Sequence, residues 1–204
     1  MNTLFVDLFR HGEPALKGVY LGRTDSPLSE KGRSTCEAVL ANGEWDLVVS
    51  SPLKRALDSA SWLANTRQIE LQVWDELQEL DFGDWDGVSF EQVYSENPVA
   101  ADKFWQAPQD YPAPNGETIQ QFKQRIAMVK ERLLQLSEKK VLVVTHGGVI
   151  RCLIGDMLGI NADRWSRIAI DYAHFAKLRF DHDAKQCWPQ LLSSNIRPLP
   201  DSVV

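Results

Sequence analysis

Two apolar runs, each followed by a histidine and a glycine, constrain the fold of this chain more than any other feature. Residues 4–9 lead to Arg10 and His11, and residues 141–144 lead through one threonine to His146. Short apolar runs that stop at glycine are typical of buried β-strands. In an open α/β sheet, ligands bind in the crevice beyond the carboxyl ends of the strands. We therefore expect the two imidazoles to meet at one edge of a sheet.

The order of the predicted elements indicates an α/β fold, a three-layer α/β/α sandwich. Early strands alternate with helices, which favours a mainly parallel central sheet, whereas the last three strands favour an antiparallel C-terminal edge. Strands are predicted over residues 4–9, 45–49, 69–74, 141–145, 167–171, 175–180 and 186–192. Helices are predicted over residues 29–42, 53–65 (capped by Ser51), 89–105 (broken at Pro98), 117–136 and 148–158.

No linker is long or biased enough to divide the chain, so we expect a single domain over residues 1–195. Residues 108–116 are rich in proline, and we expect this irregular stretch to cover the site. Residues 196–204 contain two prolines and no apolar period. This pattern predicts a poorly ordered tail.

The net charge and the cysteines limit the partners and the compartment. A formal charge of −6 argues against binding to nucleic acid or to an anionic membrane surface. No apolar run approaches the roughly 20 residues that span a bilayer, and no signal peptide is evident. Three scattered cysteines, Cys36, Cys152 and Cys187, are typical of reduced thiols. We expect a cytoplasmic protein, with a homodimer left open.

The remaining histidines do not indicate a metal site. His174 and His182 lack the spacing of metal ligands, and we interpret the first as a strand residue and the second as part of an exposed turn. The chain has no P-loop Lys-Ser/Thr and no GxGxxG. Cationic side chains can stabilise phosphoryl charge without a metal ion. We therefore expect neither a metal nor an organic cofactor.

Several residues near the two histidines could form an anion site. Arg10 adjoins His11, and Arg55 lies early in the helix that follows the second strand. Arginine offers fork-shaped donors that suit phosphate oxygens. Gly147 and Gly148, after His146, would let backbone N–H groups at a helix start approach an anion. The alternative for either arginine alone is an ion pair with one of the surface carboxylates.

A neutral imidazole beside such a group of cations can act as a nucleophile on phosphorus. One ring nitrogen must be free, while an acceptor such as a backbone carbonyl holds the proton on the other. A carboxylic acid would then protonate the leaving alkoxide and later deprotonate the attacking water. Glu79, Asp81 and Asp84 lie in one acidic run, and residue chemistry alone does not choose among them.

Five segments, in order, carry a resemblance to a known family. They are Arg10-His11-Gly12-Glu13, Gly22 to Gly32, Ser51-Pro52-Leu53-Lys54-Arg55-Ala56, Glu79 to Gly87 and Thr145-His146-Gly147-Gly148. Together they resemble the motifs of the histidine phosphatase superfamily, with its phosphoglycerate-mutase-like fold, over about residues 4–180. The resemblance implies that His11 is the phosphorylated nucleophile and Glu79 the proton donor. It also implies that Arg10, Arg55 and His146 bind the phosphoryl group.

Within the superfamily, the compact size and the segment Asn115-Gly116-Glu117 before a long helix are most similar to alpha-ribazole phosphatases. This similarity implies hydrolysis of alpha-ribazole 5′-phosphate, a step in assembly of the cobalamin nucleotide loop. Lys17 stands where many members carry an asparagine. Lys17, Gly22, Arg23 and Thr24 are further candidates for contacts with the substrate.

Three alternatives stay open at this stage, each with a small phosphate ester as its ligand. Phosphoryl transfer of the phosphoglycerate mutase type is disfavoured because the chain lacks the extra segments of those enzymes. A broad-specificity phosphatase for sugars or nucleotides would use the same residues. A non-catalytic phosphate-binding protein is disfavoured because the nucleophile, the acid and both arginines are intact.

Overall fold

The computed structural model describes residues 2–195, which contain a six-stranded sheet with helices on both faces. The strands are β1 (Asn2–Arg10), β2 (Leu47–Ser50), β3 (Glu70–Val73), β4 (Lys140–Thr145), β5 (Phe175–His182) and β6 (Cys187–Ser194). The helices are α1 (Glu30–Leu40), α2 (Lys54–Arg67), α3 (Phe90–Glu96), α4 (Pro98–Gln106), α5 (Ile119–Leu134) and α6 (Gly147–Met157). The tail predicted for residues 196–204 lies outside the described residues.

The sheet has the strand order β3-β2-β4-β1-β5-β6. The pairs β3–β2, β2–β4 and β4–β1 are parallel, whereas β1–β5 and β5–β6 are antiparallel. This arrangement confirms the predicted parallel sheet with an antiparallel C-terminal edge. In the parallel register Arg10 lies opposite Thr145. The residues that follow β1 and β4 therefore emerge side by side at the same edge of the sheet.

Alternate side chains of the central strands face two separate apolar cores. In β4, Val141 and Val143 pack in the core that includes α5 and α6, and Leu142 and Val144 pack in the core that includes α1 and α2. All four side chains are fully buried. A strand that is apolar on both faces needs cover on both faces, which is why the fold has three layers.

The helices α1 and α2 begin differently, and only α1 has a side-chain cap. Ser29 Oγ accepts a hydrogen bond from the Gly32 N–H at 3.0 Å, as the N-cap of α1 should. The N-cap residue of α2 is Leu53, which offers no side-chain cap. The prediction that Ser51 caps α2 is wrong, because the N-cap position is two residues later. The Ser51 hydroxyl accepts the Leu53 N–H at 3.3 Å before the helix begins, and it lies 2.8 Å from His146 Nε2.

The strand predicted over residues 167–171 is not formed. A 3-10 helix covers Ala162–Arg167, and residues 168–171 have no regular structure. Arg151 Nε donates to the Ile168 carbonyl at 3.0 Å, and Arg10 Nη1 donates to the Ile170 carbonyl at 2.6 Å. Because the two arginines bind these carbonyls, the segment is held beside the sheet edge rather than within the sheet.

The two histidines outside the site also differ from their predictions. His182 is the last residue of β5, pairs with Cys187 and is partly buried. Its assignment to an exposed turn is therefore wrong, and the turn covers residues 183–186. His174 lies one position before β5 rather than within it, and its carbonyl accepts the Arg10 N–H at 2.9 Å.

Helices α3 and α4 and the irregular stretch after them lie against the core on the α5 side. Phe104 packs edge-on against Trp85 with ring centroids 5.4 Å apart, and Ala113 is buried in the same core. Pro108 lines a cavity beside Glu79, so this stretch does adjoin the site. Within residues 2–195, no helix has the length and apolarity needed to cross a membrane.

Candidate active site

The two histidines predicted to converge lie together at the carboxyl ends of β1 and β4. Their ring centroids are 5.1 Å apart with an interplanar angle of 61°. The His11 N–H donates to the Thr145 carbonyl at 3.0 Å, which continues the parallel register by one residue. Both imidazoles are buried. The convergence inferred from two separate strand ends is therefore present.

The surroundings of His11 favour a neutral ring with one free nitrogen. His11 Nδ1 lies 2.7 Å from the Gly12 carbonyl, which can only accept, so Nδ1 carries the proton and Nε2 keeps its lone pair. Burial lowers the pKa of His11 well below its ordinary value, and the charges of Arg10 and Arg55 lower it further. A free lone pair on an uncharged ring is what a nucleophilic histidine requires.

His146 is completely buried and lies against Ser51. Its Nε2 is 2.8 Å from Ser51 Oγ. Burial lowers the pKa of His146 well below its ordinary value, with Arg55 adding a further lowering effect. Ser51 thus orients the second imidazole, a role that its position after a strand did not reveal.

Arg55 reaches the site from the first turn of α2 and is fully buried. Its Nη2 donates to the carbonyls of Leu21 and Gly22 at 3.0 and 2.8 Å, and its Nη1 donates to the Thr24 carbonyl at 2.9 Å. These three carbonyls fix the guanidinium beside the histidines. Arg55 therefore does not form the surface ion pair that was the alternative for it.

The loop around Arg23 and Thr24 is held by Asp86. The N–H groups of Arg23 and Thr24 donate to the two carboxylate oxygens of Asp86 at 2.6 and 2.8 Å. The Arg23 guanidinium bonds Gln78 and lies 3.7 Å from a carboxylate oxygen of Asp81. Gly22 and Thr24 meet Arg55 through their carbonyls, so the structure places them in support of that side chain.

Lys17 lies at the surface rather than against the histidines. Its Nζ is 2.8 Å from Glu13 Oε1, and its side chain is 59% exposed. The Lys17 ammonium is therefore paired with a carboxylate four residues earlier in the chain.

Two residues that the sequence analysis did not select, Arg151 and Tyr172, complete one side of the site. The Arg10 guanidinium lies 4.2 Å from the centroid of the Tyr172 ring, within the range of a cation–π contact. The same ring centroid is 5.8 Å from that of His11. Arg151 approaches from the second turn of α6, and its guanidinium lies near Gly147. Neither residue could have been predicted from the sequence. Arg151 looks like an ordinary residue of a helix, and Tyr172 is an isolated tyrosine in a loop.

Three buried side-chain nitrogens of the site have no hydrogen-bond partner among residues 2–195. They are Arg10 Nε, Arg55 Nε and His146 Nδ1. Burial lowers the pKa of both guanidiniums, although arginine stays protonated in proteins. Two buried guanidiniums with unused N–H groups favour a bound oxyanion. In the same part of the chain, no three His, Cys, Asp or Glu side chains are grouped so as to hold a metal ion.

The structure distinguishes the three candidate acids by position. Glu79 Oε2 accepts the Gly148 N–H at 2.9 Å at the start of α6, two residues after His146, and Glu79 also lines a cavity. Asp81 Oδ1 accepts the Gly83 N–H at 2.8 Å, and Asp84 Oδ2 accepts the Asn115 amide at 2.9 Å. Asp81 and Asp84 thus form hydrogen bonds within their own loop, whereas the Glu79 carboxylate bonds the backbone that follows His146.

An apolar cavity of about 270 Å³ opens beside Glu79. Arg151 lies at the same end of the cavity. The rest of its wall is mainly aromatic or aliphatic and includes Leu80, Phe82, Phe104, Trp105, Ile119 and Trp165. Gly148, whose N–H bonds Glu79, also lines the cavity, so the cavity adjoins the start of α6.

Gly148 has no room for a side chain, whereas Gly147 has more space. A Cβ on Gly148 would lie 2.3 Å from Glu79 Oε1, whereas a Cβ on Gly147 would meet its nearest atom, Arg151 Nη1, at 3.2 Å. We expect Gly148→Ala to displace the Glu79 carboxylate and to lower kcat/KM by roughly 10²-fold, a typical worth of general acid catalysis. Gly147→Ala should cost less, and steady-state kinetics of both variants test this order. Equal losses would contradict it.

The lowered pKa values of His11 and His146 predict a pH dependence of stability. In the unfolded chain, imidazoles bind protons as the pH falls through about 6.5, whereas the folded chain keeps these two neutral. The unfolded state then binds more protons, so the free energy of unfolding should fall as the pH drops below about 6.5. NMR titration of both rings and urea unfolding at several pH values measure this. A His11 midpoint at or above 6.5 would be inconsistent with the buried, cationic site.

Comparison with known proteins agrees with this geometry. A model of the histidine phosphatase superfamily (branch 1) matches residues 6–189. The chain therefore belongs to the histidine phosphatase superfamily, and it is a phosphatase.

The similar proteins include several phosphatases of small molecules. An adenosylcobalamin/alpha-ribazole phosphatase of Escherichia coli is 31% identical over 170 residues, which cover 80% of this chain and 84% of that protein. The solved alpha-ribazole phosphatase from Shigella flexneri has a TM-score of 0.81 at 26% identity, with 95% and 97% of the two chains covered. A mycobacterial glucosyl-3-phosphoglycerate phosphatase has a TM-score of 0.82 at 25% identity, with 95% and 99% covered.

Proposed function

We propose that this phosphatase works through a phosphohistidine formed on His11. The observation that carries this proposal is the free Nε2 of a neutral His11, together with buried nitrogens of Arg10, Arg55 and His146 that have no hydrogen-bond partner within residues 2–195. Arg10, Arg55 and His146 would bind the phosphoryl oxygens, together with the backbone at Gly147. Glu79 would supply and remove the proton.

In the first step, His11 Nε2 attacks phosphorus and the bond between phosphorus and the ester oxygen breaks. Glu79, in its protonated form, gives its proton to the departing alkoxide, which leaves as an alcohol. In the second step, water attacks the phosphohistidine while the Glu79 carboxylate accepts its proton. Free phosphate leaves and His11 is again neutral. Two smaller barriers thus replace one large barrier.

We further propose alpha-ribazole 5′-phosphate as the substrate, in assembly of the cobalamin nucleotide loop. Two observations support this choice: the names of the similar enterobacterial phosphatases and the apolar cavity beside Glu79. The base of alpha-ribazole is a flat, largely apolar ring system, which matches aromatic walls. The cavity offers fewer polar partners to a small charged leaving group such as serine.

The experiment compares alpha-ribazole 5′-phosphate with ribose 5-phosphate, which has a ribose leaving oxygen but lacks the base. Burying the base should raise kcat/KM by about 100-fold, because a buried ring of this size contributes about 2–3 kcal/mol. Trp105→Ala should reduce this preference and leave ribose 5-phosphate hydrolysis unchanged. Equal kcat/KM values would indicate a broad-specificity phosphatase. Isomerisation of 3-phosphoglycerate with 2,3-bisphosphoglycerate, instead of phosphate release, would indicate a mutase.

A further inference from the structure

A buried ion pair lies behind the segment that carries Glu79. Arg125 on α5 bonds the Glu117 carboxylate through two contacts, Nε to Oε1 at 2.9 Å and Nη2 to Oε2 at 2.7 Å. The side chains of Arg125 and Glu117 are only 15% and 11% exposed. A buried pair of charges is costly unless further hydrogen bonds satisfy both groups.

Those further hydrogen bonds all go to the backbone on either side of Glu79. Arg125 Nη1 donates to the carbonyls of Glu76 and Gln78 at 2.6 and 2.7 Å, and Nη2 lies 3.3 Å from the Glu79 carbonyl. Glu117 Oε2 lies 3.4 Å from the Asp81 N–H. The Glu117 N–H in turn donates to the Asp81 carbonyl at 2.9 Å.

This segment has no strand or α-helix of its own to fix it. Residues 78–82 follow a short 3-10 helix at Asp75–Leu77 and precede another at Gly83–Trp85. Within residues 2–195, the Glu79 side chain accepts hydrogen bonds only from the N–H groups of Leu80 and Gly148, each at 2.9 Å. The position of its carboxyl therefore depends on how firmly the backbone is held from behind. A shift of about 1 Å in a reacting group can cost roughly 10²-fold in rate.

We propose that Glu117 and Arg125 are positioning residues that hold Glu79 at the distance needed to protonate the leaving group. This inference rests on the proposed role of Glu79 as the proton donor. The hydrogen bonds of both side chains go to each other and to residues 76–81, not to the two histidines or to Arg10 and Arg55. Their influence should therefore be largest for esters whose leaving oxygen needs a proton.

The test compares a poor and a good leaving group in the same protein. Glycerol 1-phosphate releases a basic alkoxide that requires protonation, whereas p-nitrophenyl phosphate releases a stabilised phenolate that does not. The variants are Arg125→Lys, which keeps the charge but loses the planar fork, and Glu117→Gln, which keeps the shape. The matched control is Arg132→Lys on the same helix, since Arg132 contacts Glu76 at 3.8 Å but not residues 78–81.

For both variants, kcat/KM with glycerol 1-phosphate should fall by about 10–100-fold, a part of the 10²–10⁴-fold worth of general acid catalysis. With p-nitrophenyl phosphate it should change less than about threefold, and Arg132→Lys should alter neither. The ratio of the two values is independent of the fraction of folded protein. Equal losses on both esters, or no loss on either, would overturn the positioning role. Failure of Glu79→Gln itself to change this ratio would instead refute the proposed acid.

Discussion

Replacing His11 with alanine is expected to abolish phosphate release, with a loss of about 10⁴-fold or more, the order that follows removal of an enzyme nucleophile. The remaining cations would still bind the ester, but no group could accept the phosphoryl. The imidazole makes its hydrogen bond within its own loop, to Gly12. We therefore expect His11→Ala to fold, which circular dichroism and thermal unfolding would check.

A trapping experiment separates loss of the nucleophile from loss of binding. The wild-type protein, quenched during turnover of a labelled phosphate ester, should carry an acid-labile, alkali-stable phosphate that His11→Ala lacks. His182→Ala is the matched control, because His182 lies opposite Asn2 at the far end of β1. Phosphatase activity retained by His11→Ala would rule out the phosphohistidine mechanism.

Replacing Glu79 with glutamine is expected to lower kcat/KM for alkyl phosphates by about 10²–10⁴-fold. Glutamine can still accept the Gly148 N–H through its amide oxygen, so the loop should keep its position. It cannot donate a proton to the alkoxide on the timescale of turnover. The loss should be much smaller with p-nitrophenyl phosphate, whose leaving group is stable without a proton.

The neighbouring acids provide controls for this prediction. Asp81→Asn and Asp84→Asn remove carboxylates that bond Gly83 and Asn115 in the loop rather than lining the cavity. We expect each to retain most of the activity on alkyl phosphates. A full loss in either variant, with Glu79→Gln still active, would transfer the role of proton donor to that residue.

Much of the fold was predictable because its signals are local. The central strands are short apolar runs followed within two residues by glycine or serine, and α1, α2 and α5 each bury a set of residues at helical spacing. The strand predicted over residues 167–171 failed for a nonlocal reason. Its carbonyls bind Arg10 and Arg151, which are 160 and 17 residues away in the chain. No pattern within the segment reports such partners.

The residues of the candidate site likewise fall into those that local sequence patterns indicate and those that only distant contacts place there. His11, His146 and Arg55 were recognisable because a strand end or a helix start delivers each of them, and their motifs occur in order. Ser51 was misassigned as a helix cap because hydroxyls near helix starts usually have that role. Tyr172 and the Glu117–Arg125 pair were not selected, since their positions relative to the site depend on how distant elements pack.

The sequence by itself determined where the strands end, which side chains follow them and therefore that two imidazoles and two arginines share an edge. Backbone periodicity and chain breakers act over a few residues, so they can be read directly. The motif resemblance already indicated Glu79 as the acid, but only the tertiary structure decided that its carboxylate bonds the start of α6 and that a largely apolar cavity adjoins it. These outcomes depend on contacts between residues tens of positions apart, whose geometry is set by packing of the whole domain.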